Sequence, residues 1–274
     1  MKWLKRIFDF YLDASVHAAL GVYSLLRITA LLYELELNEP LIFFVFFSTV
    51  ACYNFIKYGV EAEKFILVYN KYHKNIQFFS FIGLAISGYY LFFLKLESWV
   101  VLGILVVLTG FYALPVLPQA KNFRSLGGLK IFMVALVWAG VTVVLPFSEN
   151  GRSMVWDDAV VLAQRILIVL ILLIPFEIRD LAYDKPELKT IPQRFGVDKT
   201  RLFGGIMTLV FFLLTFLKDS ITKVELLSNS ILFVGFILLM LLTKRQQSRY
   251  FSSFWVEAIP IAWLGIVWIL KNGI

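Results

Sequence analysis

The chain has 274 residues, of which 60% are hydrophobic and 16% are charged, and its formal net charge is +7. Its mean hydropathy of +0.80 exceeds that of an ordinary soluble domain, so the composition favours a membrane-embedded helical bundle. One cysteine excludes an intramolecular disulfide, and two histidines are too few for a His-based metal cluster. The excess positive charge lies in short loops beside apolar segments, where it sets topology and attracts anionic lipid or substrate rather than nucleic acid.

Nine apolar segments follow one another along the chain and predict nine transmembrane helices in an all-α bundle. The first comes after a basic N-terminus without a convincing cleavage site, so we expect a retained helix rather than a removed signal peptide. Several segments are slightly short for a bilayer core of about 30 Å, and their helices should extend into the flanking polar residues. No low-complexity linker interrupts them, which predicts a single domain over residues 1–274. The segments cover residues 10–34, 41–56, 75–94, 99–118, 131–147, 159–176, 202–217, 226–243 and 254–270.

Basic residues are distributed unevenly over the loops. Most Lys and Arg residues lie at the N-terminus and in the loops after the second, fourth, sixth and eighth segments. This asymmetry predicts a cytoplasmic N-terminus, an outer C-terminus and a multi-pass protein of the inner (plasma) membrane. Two of the cytoplasmic loops, 57–74 and 177–201, are longer than the rest. The other side carries only Lys95, Arg152, Lys218, Lys223 and Lys271.

The strongest local pattern follows the sixth segment, where Glu177, Asp180 and Asp184 are spaced i, i+3 and i+7. On a continuous helix these positions share one face. Three carboxylates at a helix C-terminus repel one another and the helix dipole, so a cation should offset them. Arg179 or Lys185 can do so in part, and Mg²⁺ bridging to a diphosphate would do so better. The alternative is a solvated helix end with mixed charges.

The chain continues with Lys189-Thr190-Ile191-Pro192-Gln193-Arg194-Phe195-Gly196. The stretch from Glu177 to Gly196 resembles the second Asp-rich motif of the UbiA-type intramembrane prenyltransferases. It is most similar to the menaquinone-branch, dihydroxynaphthoate prenyltransferase-like members, with Glu177 where Asn or Asp is usual. The family's nine helices, with acidic motifs after helices 2 and 6, resemble the layout predicted here. The family also carries a Tyr and basic residues between helices 4 and 5, where this chain has Tyr112, Lys121, Arg124 and Lys130.

The resemblance implies an enzyme that transfers an isoprenyl group from a prenyl diphosphate to a hydrophobic, often aromatic or lipid-like, acceptor in the membrane. It implies Mg²⁺ as cofactor, with Glu177, Asp180 and Asp184 as metal-binding and catalytic residues on the cytoplasmic side. The implied substrate-binding residues are Asn54, Lys57, Glu61, Tyr112, Lys121, Arg124, Arg179 and Lys189.

The first acidic motif departs from the family pattern of Asn-Asp-x-x-Asp followed by a further Asp. Aligning Asn54 places Phe55, Tyr58 and Ala62 at the acidic positions. What remains is Asn54, Lys57 and Glu61 at i, i+3 and i+7. In one interpretation Lys57 replaces one Mg²⁺ and contacts the diphosphate as a point charge. In the other, activity is lost and the bundle binds lipid or a partner as a scaffold. A secondary transporter is a third alternative, although no paired broken helices are recognisable.

Ionisable residues inside the predicted spans usually pair with one another or face a cavity. Asp13 and His17 are spaced i, i+4 in the first segment and predict a pair near the membrane interface. An acceptor-binding or acid–base role for His17 is the alternative. For Arg165, in the sixth segment, we expect either snorkelling to the interface or an internal partner.

Overall fold

The computed structural model describes residues 2–59, 71–113, 127–184 and 186–273. This part of the chain is mainly helical, with short connections between the helices, and contains no strand. π-Helical turns at Phe55–Gly59, Gly140–Val144 and Phe251–Val256 and 3₁₀ turns at Pro186–Leu188 and Thr215–Leu217 supplement the α-helices. The α-helices are α1 (Lys2–Asp13), α2 (Val16–Tyr33), α3 (Glu39–Asn54), α4 (Lys71–Leu91), α5 (Leu96–Ala113), α6 (Leu129–Ala139), α7 (Leu145–Glu149), α8 (Trp156–Asp180), α9 (Ile191–Phe195), α10 (Val197–Leu214), α11 (Lys223–Leu242) and α12 (Ile259–Gly273).

Eight helical stretches of the described residues are long and apolar enough to cross a membrane. They coincide with eight of the nine predicted segments. Seven of them extend into the polar flanks as expected, whereas Val16–Tyr33 is shorter than the predicted segment 10–34. The remaining segment, 75–94, overlaps α4, a helix of 21 residues whose first turn is polar. A membrane crossing by α4, the total of nine spans and the orientation of the termini stay predictions. The eight stretches are Val16–Tyr33, Glu39–Tyr58, Leu96–Ala113, Leu129–Glu149, Trp156–Asp180, Val197–Leu217, Lys223–Leu242 and Phe251–Gly273.

The helix α8 forms the centre of the bundle. It is apolar on every side over Ile168–Leu172 and is buried there by its neighbours, as a helix without a polar face must be. Helices α4, α5, α10 and α11 lie at the periphery and expose large apolar side chains such as Phe78, Val106 and Leu213. An exposed apolar surface of this extent suits contact with lipid rather than water.

The predicted segment 10–34 is not one helix, because the chain breaks between α1 and α2. Ser15 has a left-handed backbone conformation with φ of 58°. The side chain of Asn54, the last residue of α3, binds the two residues at this break. Its Nδ2 donates to Ala14 O at 2.9 Å, and its Oδ1 accepts from Ser15 Oγ at 2.8 Å. The Asn54 amide thereby stabilises a turn that interrupts the backbone hydrogen bonding between α1 and α2.

The expected pair between Asp13 and His17 is wrong, since the helix breaks between them and the i, i+4 spacing no longer places them on one face. His17 instead has Tyr11 Oη 2.6 Å from its Nδ1 and donates from Nε2 to Phe254 O at 2.9 Å. Asp13 binds partners on other elements, which are described below.

Polar contacts collect at the two ends of the bundle. At one end the Glu149 carboxylate accepts hydrogen bonds from Asn38 Nδ2 at 2.8 Å and Ser98 Oγ at 2.6 Å. Lys218 pairs with Glu225 at 2.6 Å at the same end. The other end carries Asp13, Lys57, Arg249 and residues 177–184 and is called the motif end from here on. Its orientation in a membrane stays a prediction.

Candidate functional site

The acidic residues after the sixth predicted segment lie partly on α8 and partly on the turn that follows it. The helix ends at Asp180, and the backbone amides of Tyr183 and Asp184 both donate to Asp180 O at 2.8 Å. The continuous helical face expected for Glu177, Asp180 and Asp184 is therefore wrong, because Asp184 lies beyond the helix. The turn nevertheless brings Asp184 back towards Glu177, since one lysine reaches both.

That lysine is Lys130, at the start of α6. Its Nζ lies 2.7 Å from Glu177 Oε1 and 3.9 Å from Asp184 Oδ2. The Glu177 side chain is only 3% exposed, and its second oxygen, Oε2, is buried without a hydrogen-bond partner among the described residues. A buried carboxylate with one bound ammonium and one unsatisfied oxygen has room to accept a further donor.

Asp180 has a different cation. Arg179 Nε donates to Asp180 Oδ1 at 2.8 Å, and the guanidinium lies 5.0 Å from the centre of the Phe176 ring. Both side chains of this pair are about one-third exposed, so they are accessible from the motif end. Arg179 thus presents a partly exposed positive charge next to Asp180.

The three carboxylates are the oxygen ligands that Mg²⁺ prefers, but their arrangement does not fit a bound ion as it stands. Lys130 occupies the space between Glu177 and Asp184, and Arg179 holds Asp180. Among the residues that the structure describes, no group of three or more acidic, His or Cys side chains is placed to hold a metal. The Mg²⁺ set of Glu177, Asp180 and Asp184 stays a prediction.

The loop after α8 packs on the turn that precedes α6. Gly127 has φ of +49°, and a Cβ at this position would collide with Leu188 O and lie 2.6 Å from Lys189 O. Gln193 of α9 binds the same loop, accepting from Thr190 N at 2.9 Å and donating to Asp184 O at 3.3 Å. The Lys189 side chain is exposed beside this turn. The loop that carries Asp184 is therefore fixed against the segment that carries Lys130.

The remnant of the first motif follows α3. Asn54 is buried, and its amide holds Ala14 and Ser15 as described above, so its predicted role in substrate binding stays untested. Lys57 lies on the π-helical turn Phe55–Gly59, where its Nζ donates to Asp13 O at 3.3 Å and lies 3.8 Å from Asp13 Oδ1. Glu61 lies outside the described residues, as do Lys121, Arg124 and Lys185.

Asp13 joins four elements at the motif end. Besides Lys57, it binds Arg249, whose Nη2 lies 3.1 Å from both carboxylate oxygens. It also accepts from Tyr72 Oη of α4 at 3.0 Å. Burial, followed by the hydrogen bond to Asp13, raises the pKa of Tyr72 to about 12. This cluster fixes the start of the π-helical turn that leads into the last span.

One functional candidate was missed by the sequence analysis. Glu257 follows the π-helical turn Phe251–Val256 and lies within the last span. The positive charges of Lys57 and Arg179 both act on its carboxylate. Glu257 is therefore within electrostatic range of both motif regions. A lone acidic residue in an apolar segment is the signal that could have identified it.

Aromatic side chains line the interior near Glu257. The ring of Tyr53 meets Trp138 edge-on with centroids 6.0 Å apart. Tyr53 is also within electrostatic range of Glu257 and of Tyr112. The predicted site residue Tyr112, on α5, is thus within electrostatic range of Tyr53 on α3, and its contact with a substrate stays a prediction.

No known protein family matches the sequence, and no curated protein is similar to it. Solved structures are similar over the full length. A structure of digeranylgeranylglyceryl phosphate synthase has a TM-score of 0.56 at 16% identity, over 99% of this chain and 98% of that one. A UbiA homolog from Archaeoglobus fulgidus bound to DMAPP and Mg²⁺ has a TM-score of 0.53 at 12% identity, over 100% of both chains. The same homolog bound to GPP and Mg²⁺ gives 0.53 and 12% over 99% of this chain and all of that one.

These neighbours show that the chain has the fold of the UbiA-type prenyltransferases from end to end. The fold part of the predicted resemblance is confirmed. The closer similarity to the menaquinone branch stays a prediction, because none of these neighbours tests it.

Proposed function

We propose that this protein is a membrane-embedded prenyltransferase, which transfers an isoprenyl group from a prenyl diphosphate to a hydrophobic acceptor. The observation that carries the proposal is the charged cluster at the motif end. Lys130, Glu177 and Asp184 meet there, with Lys57 and Arg179 in electrostatic range of one another. Solved structures with the same fold contain the prenyl diphosphates DMAPP and GPP.

In this proposal the cations of the motif end bind the diphosphate. Arg179 offers a planar donor pair that matches phosphate oxygens, while Lys57 and Lys130 act as point charges. As the allylic C–O bond breaks, negative charge grows on the diphosphate, and fixed cations stabilise it most in that state. The apolar interior holds the isoprenyl tail and excludes water, which would otherwise react with the electron-poor carbon. Lys189, Lys121 and Arg124 are proposed as further diphosphate contacts.

Metal use is part of the proposal. Mg²⁺ bound with a diphosphate would add charge stabilisation of the leaving group, and Glu177, Asp180 and Asp184 are its proposed ligands. Lys130 would have to leave the Glu177 carboxylate for this to happen. We propose that the lysines supply part of the charge that Mg²⁺ would otherwise provide, with Lys57 in place of one ion.

The proposed location is the inner membrane, with the motif end facing the cytoplasm and the whole chain forming one domain. The distribution of basic residues supports this orientation. The motif end carries Lys57, Lys130, Arg179 and Arg249, and positive charge of this kind attracts a diphosphate from the aqueous side.

The test is binding of GPP to the purified full chain in nanodiscs, measured as a thermal shift with Mg²⁺ and again with EDTA. We expect GPP to stabilise the protein, and Lys57→Ala to weaken the affinity for GPP by about ten-fold or more, since it removes a charged contact. Asp184→Asn should weaken this affinity in Mg²⁺ but not in EDTA, since a carboxylate would attract the diphosphate only through the ion. Lys223→Ala, an exposed lysine at the opposite end, is the matched control.

Unchanged GPP binding in both site variants would contradict the proposal. No shift with a prenyl diphosphate of any chain length would instead favour a lipid-binding or scaffold protein on this fold. A transporter would move substrate in proteoliposomes without forming a prenylated product.

A further inference from the structure

The first helix, α1, is amphipathic along its length. At about 3.6 residues per turn, its charged residues from Trp3 onwards fall on one narrow side and its apolar and aromatic residues on the remainder. A helix divided in this way belongs at a boundary between an apolar and a polar phase. The charged side carries Lys5, Arg6, Asp9 and Asp13, and the other side carries Trp3, Leu4, Ile7, Phe8, Phe10, Tyr11 and Leu12.

Only the second half of the apolar side of α1 packs on the protein. The Phe8 ring lies 5.2 Å from the ring of Phe254 in the last span, and the Phe10 ring lies 6.1 Å from that of Phe79 on α4. The first half continues the same apolar side past these contacts. Its large apolar side chains are exposed, Trp3 by 70%, Leu4 by 64% and Ile7 by 47%.

The connection of α1 to the first span places the helix at the membrane surface. Only two residues separate Asp13, the end of α1, from Val16, the start of α2. The 12 residues of α1 extend over about 18 Å, which is too short to cross a bilayer core of about 30 Å. The break at Ser15 prevents α1 from continuing the helix of the span. The exposed apolar residues are thus held close to the end of a membrane span.

The charged side of α1 offers positive charge, because its carboxylates are bound within the protein. Asp13 holds the cations described above, and Asp9 Oδ1 accepts from Tyr250 Oη at 2.8 Å. Lys5 and Arg6 are exposed, and neither forms a hydrogen bond or ion pair within the described ranges of the chain. An apolar surface flanked by free cations is complementary to a bilayer surface that carries phosphate groups and negative charge.

We propose that α1 is an interfacial anchor that binds the anionic lipid surface at the motif end. Trp3, Leu4 and Ile7 insert among the outer parts of the lipid chains, where Trp is favoured. Lys5 and Arg6 bind lipid phosphate groups beside them. Contact of this face with a second copy is disfavoured, because a two-fold axis would bring the same cations together.

Spin labels on two sides of α1 test the anchor. The chain has one cysteine, so in a Cys52→Ala background Leu4→Cys and Arg6→Cys each carry a single label. The full chain is placed in nanodiscs of phosphatidylcholine and phosphatidylglycerol. Power-saturation EPR then measures collisions of each label with oxygen, which concentrates in lipid, and with a water-soluble nickel chelate. We expect the label at Leu4→Cys to collide mainly with oxygen and the label at Arg6→Cys mainly with nickel.

The charge of the lipid surface is tested with the label at Leu4→Cys. Each cation near an anionic surface strengthens binding about five-fold. Nanodiscs of phosphatidylcholine alone should therefore shift this label towards collisions with nickel, and Lys5→Gln/Arg6→Gln should cause the same shift in anionic nanodiscs. Lys244→Gln/Arg245→Gln is the matched control, because it removes two adjacent exposed cations at the same end of the bundle. This control should leave the collisions unchanged.

A label at Leu4→Cys that collides mainly with nickel would overturn the proposal, because the helix would lie in water. Protection of this label from both reagents would overturn it too, since protein would then cover the face. Equal contact with lipid in both kinds of nanodisc, unchanged by Lys5→Gln/Arg6→Gln, would reject the anionic surface as the partner. Prenyl diphosphate takes no part in these measurements, so they judge the anchor separately from prenyl transfer.

Discussion

Lys130 forms an ion pair with the buried carboxylate of Glu177 across the contact between α6 and α8, with 2.7 Å between Nζ and Oε1. The pair places a positive charge directly on the most buried carboxylate of the acidic motif. The lysine neutralises the most buried carboxylate, and Arg179 neutralises Asp180. A diphosphate arriving at the motif end would compete with Glu177 for the ammonium group of Lys130. Binding of the diphosphate would therefore be coupled to release of Lys130 from Glu177.

Removing Lys130 should destabilise the protein strongly. Lys130→Met leaves the Glu177 carboxylate buried and unpaired, which we expect to lower the free energy of unfolding by about 3–5 kcal/mol. Denaturation of the detergent-solubilised protein, followed by circular dichroism, measures the change.

The double variant Lys130→Met/Glu177→Leu should recover most of this loss, because no unpaired charge remains. Asp198→Asn is the surface control. Its carboxylate is 96% exposed and lies 3.7 Å from Arg201, so its loss should cost about 0–1 kcal/mol. A Lys130→Met variant no less stable than Asp198→Asn would show that the pair of Lys130 and Glu177 contributes little.

Two adjacent glycines provide a matched test of the loop that carries Asp184. Gly127→Ala should destabilise the protein and weaken GPP binding for two reasons. A residue with a Cβ is less stable at a positive φ by about 1–2 kcal/mol, and the added Cβ would collide with Leu188 O and Lys189 O. Gly128→Ala should be tolerated, since the nearest atom to its Cβ would be Ile191 Cγ1 at 3.7 Å. Limited proteolysis within the loop and thermal shifts with GPP compare the two variants. If the two variants are equally resistant to proteolysis and give equal thermal shifts with GPP, the close packing of Gly127 against Leu188 and Lys189 is wrong.

The membrane spans were the most predictable part of this fold. Long apolar runs such as those of α8 and α11 identify a helix whatever its neighbours are, because the length and the absence of charge are enough. The break at Ser15 was not predictable in this way. It depends on Asn54, which is distant in sequence, and on a backbone conformation that a hydropathy pattern does not reveal.

The candidate site was predictable only where its residues are close in sequence. Glu177, Asp180 and Asp184 were identified by spacing, whereas the partner that actually binds two of them, Lys130, belongs to another helix. The pairing of Asp13 with Arg249 likewise joins opposite ends of the chain. Local spacing predicted His17 for Asp13 instead, because i, i+4 neighbours meet only on an unbroken helix.

Asn54 should act on stability. Asn54→Ala removes both hydrogen bonds that hold the break between α1 and α2 and leaves Ala14 O buried without its donor, at a cost of about 1–3 kcal/mol. Ser15→Ala removes only one of these contacts and should cost less. If Asn54→Ala unfolds like the wild type but loses GPP affinity, its main role is in substrate binding and the structural account of the break is wrong.

Arg165 has no acidic partner among the described residues. Of the two expectations for its side chain, snorkelling to the interface or an internal partner, the structure shows internal partners. The side chain is 2% exposed, and its guanidinium donates to Leu25 O at 2.8 Å and to Thr29 Oγ1 at 3.1 Å. The planar fork reaches two acceptors on α2 at once, which a lysine ammonium at this position cannot match in geometry.

Arg165→Lys should therefore lower the free energy of unfolding by about 1–3 kcal/mol, since at least one buried acceptor loses its donor. Arg194→Lys, at an exposed arginine on α9, should have little effect. Thr29→Val removes one acceptor of the fork, so its effect should be smaller in the Arg165→Lys background than in the wild type. Additive losses in this double-mutant cycle would show that Arg165 and Thr29 stabilise the bundle independently, against the contact between α8 and α2 described here.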